Sequence, residues 1–179
     1  MYAIISELDK RSSAQVIEFW ETLCEACGLR GIYDIPTPHF TWFAAENLDV
    51  EKAKPIISQI VENQEPFEIR TFGLGVFSGD HPVLYLPMVK TRQVLDFHDE
   101  IWEKLRPFSS DTQLYYSPWL WVPHITIALK DLTRDNLTCA INAIAFEPIE
   151  LINQVTNLIL ADYEDERPGQ MLERFPFNL

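Results

Sequence analysis

The tetrapeptide Pro38-His39-Phe40-Thr41 (PHFT) recurs in the second half of the chain as Pro123-His124-Ile125-Thr126 (PHIT). Each copy lies in a hydrophobic stretch of strand composition, HFTWFAA in the first half and WVPHITIAL in the second. Successive side chains of a strand point to opposite faces, so residues two apart share a face. His39 and Thr41 are therefore predicted to project together from one strand, and His124 and Thr126 from another.

The elements around the two motifs follow the same order in both halves: strand, helix, strand, helix, strand. In the first half we predict strands at 2–8, 39–45 and 67–77, with a helix capped by Ser12 or Ser13 that ends near residue 27 and a helix at 49–63. In the second half we predict strands at 83–89, 121–129 and 149–160, helices at 91–105 and 133–145, and a final strand at 170–177.

This order predicts a single domain over 1–179 with approximate internal repeats at 1–80 and 81–179. The expected fold class is α+β and bilobal. Two pseudo-symmetric lobes, each with an antiparallel sheet and flanking helices, would face each other around a central cleft. If a pseudo-twofold axis relates the repeats, both His–Thr pairs converge on that cleft.

Two imidazoles and two hydroxyls suit the cleavage of a phosphodiester. One neutral imidazole removes a proton from the attacking oxygen, while an imidazolium protonates the departing one, and the unperturbed histidine pKa allows both roles near neutral pH. Threonine hydroxyls donate hydrogen bonds to phosphate oxygens. A single H-x-T on a strand is common in ordinary packing, but two copies at matching places in a duplicated order favour catalysis.

The two motifs resemble the paired H-x-T/S motifs of the two-histidine (2H) phosphoesterase superfamily, which includes 2′-5′ RNA ligase-like proteins and cyclic nucleotide phosphodiesterases. The resemblance implies an enzyme that acts on 2′,3′-cyclic phosphates or 2′-5′ linkages without a metal or cofactor, and we expect it to hydrolyse a 2′,3′-cyclic phosphate. It makes His39 and His124 the catalytic acid–base pair, without deciding which is which, and Thr41 and Thr126 the phosphate ligands. Alternatives are a 2′-5′ RNA ligase or oligonucleotide phosphodiesterase, and a non-catalytic binder of nucleotides or RNA ends.

The negative net charge of the chain limits the kinds of substrate that we expect. The chain carries −13 at pH 7, and acidic proteins repel long nucleic acid. We expect a small nucleotide or an RNA-terminal cyclic phosphate as substrate, no binding of long nucleic acid, and a monomer. Basic residues around the cleft, drawn from Arg70, Lys90, Lys130 and Arg134, would point towards RNA, and their absence towards small nucleotides.

The remaining features favour a cytoplasmic protein without a membrane segment or secretory signal. Three cysteines, Cys24, Cys27 and Cys139, fit a reducing compartment, and Cys24 and Cys27 are predicted to be core thiols rather than metal ligands. His98 borders the apolar stripe of its helix and is predicted to be structural. His81 lies in a turn and is predicted to be a surface residue.

Overall fold

A computed structural model describes residues 1–35, 37–163 and 169–178 of the protein. Within these residues the strands are β1 (Tyr2–Glu7), β2 (His39–Leu48), β3 (Phe67–Arg70), β4 (Gly75–Phe77), β5 (Val83–Pro87), β6 (Ser109–Thr112), β7 (His124–Ala128), β8 (Ile152–Val155), β9 (Asn157–Asp162) and β10 (Gln170–Pro176). The helices are α1 (Lys10–Cys27), α2 (Val50–Glu62), α3 (Arg92–Leu105) and α4 (Arg134–Ile144).

Capping residues explain where the helices begin and end. Asp9 accepts a hydrogen bond from the Ser12 amide at 2.8 Å, so the cap of α1 is Asp9 rather than the serines that the sequence suggested. Gly28 ends α1 in the left-handed conformation, next to the predicted end near residue 27. Thr91, the first residue of the predicted helix at 91–105, caps α3 by accepting a hydrogen bond from the Val94 amide at 3.3 Å.

Within the described residues the antiparallel strands form two sheets. Eight strands make the larger sheet, in the order β10-β9-β1-β2-β7-β5-β4 with β6 paired to β2, and β3 pairs with β8 in the smaller one. Helices flank the sheets: α1 packs on α4 and β7, and α3 packs on α2 and β2. The predicted α+β class with antiparallel sheets and flanking helices is confirmed, and α1 and α3 each pack on a motif strand from the other half of the sequence.

The motif strands β2 and β7 are neighbours at the centre of the larger sheet. Their antiparallel ladder has a single pair, Phe40 opposite Ile125, before the strands diverge. Both of these side chains are buried, and Phe40 packs edge-on against Trp42, which in turn packs against Trp121. The apolar residues of the two motifs thus join the halves through the core, as the strand alternation predicted.

The predicted strand at 67–77 is wrong in one respect. It is two strands that belong to different sheets, since β3 pairs with β8 while β4 pairs with β5. Gly75 of β4 lies directly against Tyr85, where an added Cβ would come within 2.3 Å of the tyrosine ring. Close packing of two strands explains this glycine.

The prediction for Cys27 as a core thiol is also wrong. Cys27 and Cys139 are joined by a disulfide with their Cα atoms 5.8 Å apart, because α1 and α4 lie side by side. Cys24, one turn earlier on α1, is a free, partly buried thiol. No helix among the residues described above is long and apolar enough to cross a membrane.

Candidate active site

The four residues singled out by the sequence line one small cavity. His39, Thr41, His124 and Thr126 project from β2 and β7 on the face opposite Phe40 and Ile125. The cavity has a volume of about 160 Å³, and the full set that lines it is Met1, Ala3, His39, Phe40, Thr41, Ala44, Tyr116, His124, Thr126 and Tyr163. The structure therefore brings both predicted His–Thr pairs together.

Both imidazoles are held in the same way by the backbone. His39 Nδ1 lies 2.8 Å from the carbonyl oxygen of Thr37, and His124 Nδ1 lies 2.7 Å from that of Val122. A carbonyl oxygen only accepts, so Nδ1 carries the hydrogen in each ring. In the neutral form, each histidine then has its lone pair on Nε2.

The proline of each motif explains why this arrangement recurs. Thr37 precedes Pro38 and Val122 precedes Pro123, and a residue before proline is restricted to extended conformations. This restriction limits the directions in which the carbonyls of Thr37 and Val122 can point. The Pro-His dipeptide of each motif is thus a local device that orients the imidazole.

Burial makes both imidazoles easier to deprotonate. Desolvation lowers the pKa of His39 below 6.5, the nearby charge of His124 lowers it further, and Glu7 acts in the opposite direction. Desolvation also lowers the pKa of His124. Both rings face one cavity, and their lowered pKa values lie in the range that lets a histidine exchange a proton at or below neutral pH.

Aromatic rings support His124 from the side of β4 and β5. The Phe77 and Tyr85 ring centroids lie 4.8 and 5.2 Å from that of His124, both in edge-on geometry. Gly75 allows Tyr85 to take this position, because any side chain there would collide with its ring. The short hairpin of β4 and β5 therefore fixes one wall of the site.

Two tyrosines of the cavity were missed by the sequence reasoning. The Tyr163 hydroxyl lies 3.2 Å from His39 Nε2. Burial raises the pKa of Tyr116, and a hydrogen bond with the Thr41 side chain acts against that rise. Tyr116 lies a few residues before the second motif, where aromatic residues are common in core packing. Tyr163 follows the last residue of β9 and has no local signal in the sequence.

A second, larger cavity opens beside the first and shares Tyr116, His124 and Thr126 with it. Its volume is about 580 Å³. The rest of its lining is mostly apolar: Ile35, Phe77, Ser78, Val83, Tyr115, Leu120, Val122 and Leu129. The site thus has a polar end at the histidines and a hydrophobic extension.

The basic residues proposed as possible RNA contacts line neither of these cavities. Arg70 bonds the Glu68 carboxylate at 2.8 Å, and Lys130 bonds Asp34 at 2.7 Å. Lys90 and Arg134 are also absent from both linings. Among the residues that the structure describes, no three His, Cys, Asp or Glu side chains cluster so that they could hold a metal ion.

Comparisons with known proteins agree with this architecture. The protein TT0787 of Thermus thermophilus superposes with a TM-score of 0.66 at 16% identity, over 98% of this chain and 97% of that one. A solved phosphoesterase gives 0.64 at 18% identity, over 99% and 98%. E. coli LigT in complex with 3′-AMP gives 0.62 at 17% identity, also over 99% and 98%.

At these identities the likeness is one of fold. A comparison with curated protein sequences gives no match. The sequence model of the 2′-5′ RNA ligase superfamily, however, matches residues 9–167, which include both His–Thr motifs and most of the chain. The protein therefore belongs to the 2′-5′ RNA ligase superfamily, that of the two-histidine phosphoesterases.

Proposed function

We propose that this protein is a metal-independent phosphodiesterase that hydrolyses 2′,3′-cyclic phosphates by acid–base catalysis between His39 and His124. The observation that carries the proposal is the common cavity of the two imidazoles and the two threonine hydroxyls. Each imidazole is anchored through Nδ1, so its Nε2 is the atom available for proton transfer.

The reaction needs one neutral and one protonated imidazole. Nε2 of the neutral ring takes a proton from water as the water oxygen bonds to phosphorus. The bond from phosphorus to one ribose oxygen breaks, and that oxygen takes the proton from Nε2 of the other ring. Thr41 and Thr126 donate hydrogen bonds to the non-bridging oxygens, whose negative charge increases in the transition state.

The hydrophobic cavity beside the histidines is suited to the organic part of the substrate. Its lining has aromatic and aliphatic side chains and no lysine or arginine among the residues that the structure describes. Such a surface favours an uncharged aromatic group such as a nucleobase, for which stacking on aromatic side chains contributes about 1–3 kcal/mol. Solved complexes of E. coli LigT hold ATP, NADP+ and 3′-AMP, which supports a nucleotide in a site of this fold.

A 2′-5′-linked oligonucleotide is the second candidate substrate. The matching superfamily carries the name of the 2′-5′ RNA ligases, and the cavity of about 580 Å³ leaves room beyond the reacting phosphate. The same residues would cleave or form a 2′-5′ bond by the same proton transfers. The net charge of −13 favours the smaller cyclic nucleotide.

The test is hydrolysis of the four nucleoside 2′,3′-cyclic monophosphates and a 2′-5′-linked dinucleotide in the presence of EDTA. We expect turnover by the wild type and a loss of about 10²–10⁴-fold in kcat for His39→Ala and for His124→Ala. His81→Ala is the matched control, because His81 is exposed and lines neither cavity. Turnover that EDTA abolishes, or that survives in both site variants, would overturn the proposal.

A further inference from the structure

We propose that Tyr163 is a third hydroxyl ligand of the substrate phosphate and that its hydrogen bond to His39 in the free protein makes His39 the proton acceptor. This inference rests on the proposed function and adds a residue and an assignment of roles to it. His124 becomes the proton donor in the hydrolytic direction.

His39 Nε2 has one hydrogen-bond partner among the described residues, the Tyr163 hydroxyl at 3.2 Å. Because Nδ1 already bonds to the Thr37 carbonyl, Nε2 of the neutral ring carries the lone pair. The phenol therefore donates and the imidazole accepts. A donor at Nε2 stabilises the neutral ring over the imidazolium, which is the state that a general base requires.

Within the part of the chain that the structure describes, His124 has no equivalent donor. Its Nδ1 bonds to the Val122 carbonyl, while the rings beside it, Phe77 and Tyr85, meet it edge-on. The two histidines thus match in their backbone anchors and differ at their reactive nitrogens. The repeated motif alone does not say which histidine is the base and which is the acid. The hydrogen bond at Nε2 of His39, which His124 lacks among the described residues, makes this distinction.

A backbone hydrogen bond and close packing fix the position of Tyr163. Its backbone amide donates to the Met1 carbonyl at 2.8 Å, which extends the pairing of β1 with β9. Its ring lies against Gly169, where an added Cβ would come within 2.3 Å of Cε1. Glycine at 169 therefore lets the ring reach the histidine.

A phosphate in the cavity would compete for the Tyr163 hydrogen bond. Tyr163 lines the same small cavity as Thr41 and Thr126, so its hydroxyl can turn from Nε2 towards a non-bridging oxygen. The phenol keeps its proton throughout, since burial raises its pKa further above the usual value. The turn frees the Nε2 lone pair to accept a proton from the attacking water.

Several other ionisable groups surround His39. Glu7 lies opposite His39 on β1, and its carboxylate is bonded by Thr37 at 3.0 Å and by Arg174 of β10. His124 on β7 and Tyr116 face the same cavity. Tyr163→Phe leaves all of these groups in place, so a change in titration reports the lost hydroxyl.

The experiment compares Tyr163→Phe and Gly169→Ala with the wild type and with Tyr33→Phe, which removes a phenol hydroxyl outside both cavities. We expect Tyr163→Phe to lower kcat by about 10- to 100-fold. The acidic limb of its kcat/KM profile should move to higher pH, because the neutral form of His39 loses a donor. Affinity for inorganic phosphate, measured by calorimetry, should fall. Gly169→Ala should reproduce these changes by displacing the ring, and Tyr33→Phe should match the wild type.

Wild-type values of phosphate affinity and pH profile in Tyr163→Phe would overturn the inference, and so would wild-type values in Gly169→Ala. A wild-type protein that hydrolyses no cyclic phosphate would contradict the proposed function instead. Phosphate affinity and the ¹⁵N shift of His39 Nε2, followed by NMR against pH in wild type and Tyr163→Phe, would still decide the role of Tyr163.

Discussion

At the residue scale, the proposed role of the Thr41 and Thr126 hydroxyls as phosphate ligands can be tested separately from the part that these side chains play in the strands. Valine has nearly the shape and β-propensity of threonine without its hydroxyl, whereas serine keeps the hydroxyl and loses a methyl group. We expect Thr41→Val and Thr126→Val each to lower kcat by about 10- to 100-fold, because each removes one of the hydroxyls proposed to donate to the transition-state phosphate. Kinetics with a 2′,3′-cyclic nucleotide would measure this loss.

Serine is the matched variant for that comparison. Thr41→Ser and Thr126→Ser should keep kcat within a few-fold of the wild type, provided that the hydroxyl rather than the methyl group acts on the substrate. If valine and serine reduced kcat equally, packing of the side chain would explain the effect and the threonines would not be phosphate ligands.

The pH dependence of kcat/KM follows from the buried state of both imidazoles. The pKa values of His39 and His124 are lowered from 6.5, chiefly by desolvation. A base with a lowered pKa stays neutral to a lower pH, and an acid with a lowered pKa loses its proton at a lower pH. Both limbs of the bell therefore move in the acidic direction, and we expect the maximum of kcat/KM below pH 6.5. A maximum of kcat/KM above pH 6.5 would contradict the lowered pKa values of His39 and His124 in the free protein.

Residue-scale reasoning found the two His–Thr pairs because strand alternation acts over two positions and needs no knowledge of the fold. Tyr163 is different, since it meets His39 across 124 positions of sequence through the pairing of β1 with β2 and β9. No local pattern marks such a contact. Gly169 likewise gains its importance only from the ring that packs on it.

At the element scale, α3 carries a buried histidine that supports the wall of the site. His98 was predicted to be structural, and the structure agrees: its ring stacks on Trp121 at a centroid distance of 3.8 Å, and Nε2 donates to the Tyr116 carbonyl at 3.0 Å. Because Tyr116 lines both cavities, His98 ties the segment before β7 to the helix. The histidine therefore links core packing to the site.

Burial of His98 predicts a loss of stability in acid. Desolvation lowers its pKa from 6.5 to about 4. Between these values the unfolded chain binds a proton here that the folded chain does not, so the free energy of unfolding falls as the pH drops, by at most about 3 kcal/mol from this group. Urea unfolding at several pH values should show a weaker dependence in His98→Gln than in the wild type. His81→Gln is the control, and an unchanged dependence in His98→Gln would contradict the prediction.

Helix boundaries were more predictable than strand partners. Thr91 and Gly28 act as caps through contacts within a few residues, so the sequence suffices to place them. The stretch 67–77 has uniform strand composition, yet its two ends pair with β8 and β5 in different sheets. The choice of partner depends on residues more than 80 positions away in the case of β8, which composition does not reveal.

At the scale of the whole molecule, acidity and the placement of basic residues act together on substrate choice. The chain carries −13, and the basic candidates Arg70 and Lys130 are engaged by the carboxylates of Glu68 and Asp34. The long-range field therefore opposes a polyanion, while short-range donors at the histidines and hydroxyls suit a single phosphate. The repulsive long-range field together with the local donors favours a small nucleotide over a long RNA as the substrate of the proposed enzyme.

The disulfide between Cys27 and Cys139 links α1 and α4 across 112 positions and so connects the two halves of the sequence. A cross-link that closes a long loop restricts the unfolded chain and stabilises the folded one, typically by about 2–4 kcal/mol. We expect Cys139→Ser to lower the free energy of unfolding by this amount in urea, and dithiothreitol to bring the wild type close to the variant. Cys24→Ser is the matched control, since this free thiol lies one turn from Cys27 on the same helix. Equal stabilities of wild type and Cys139→Ser under oxidising conditions would show that packing of α1 on α4 suffices to hold the two halves together.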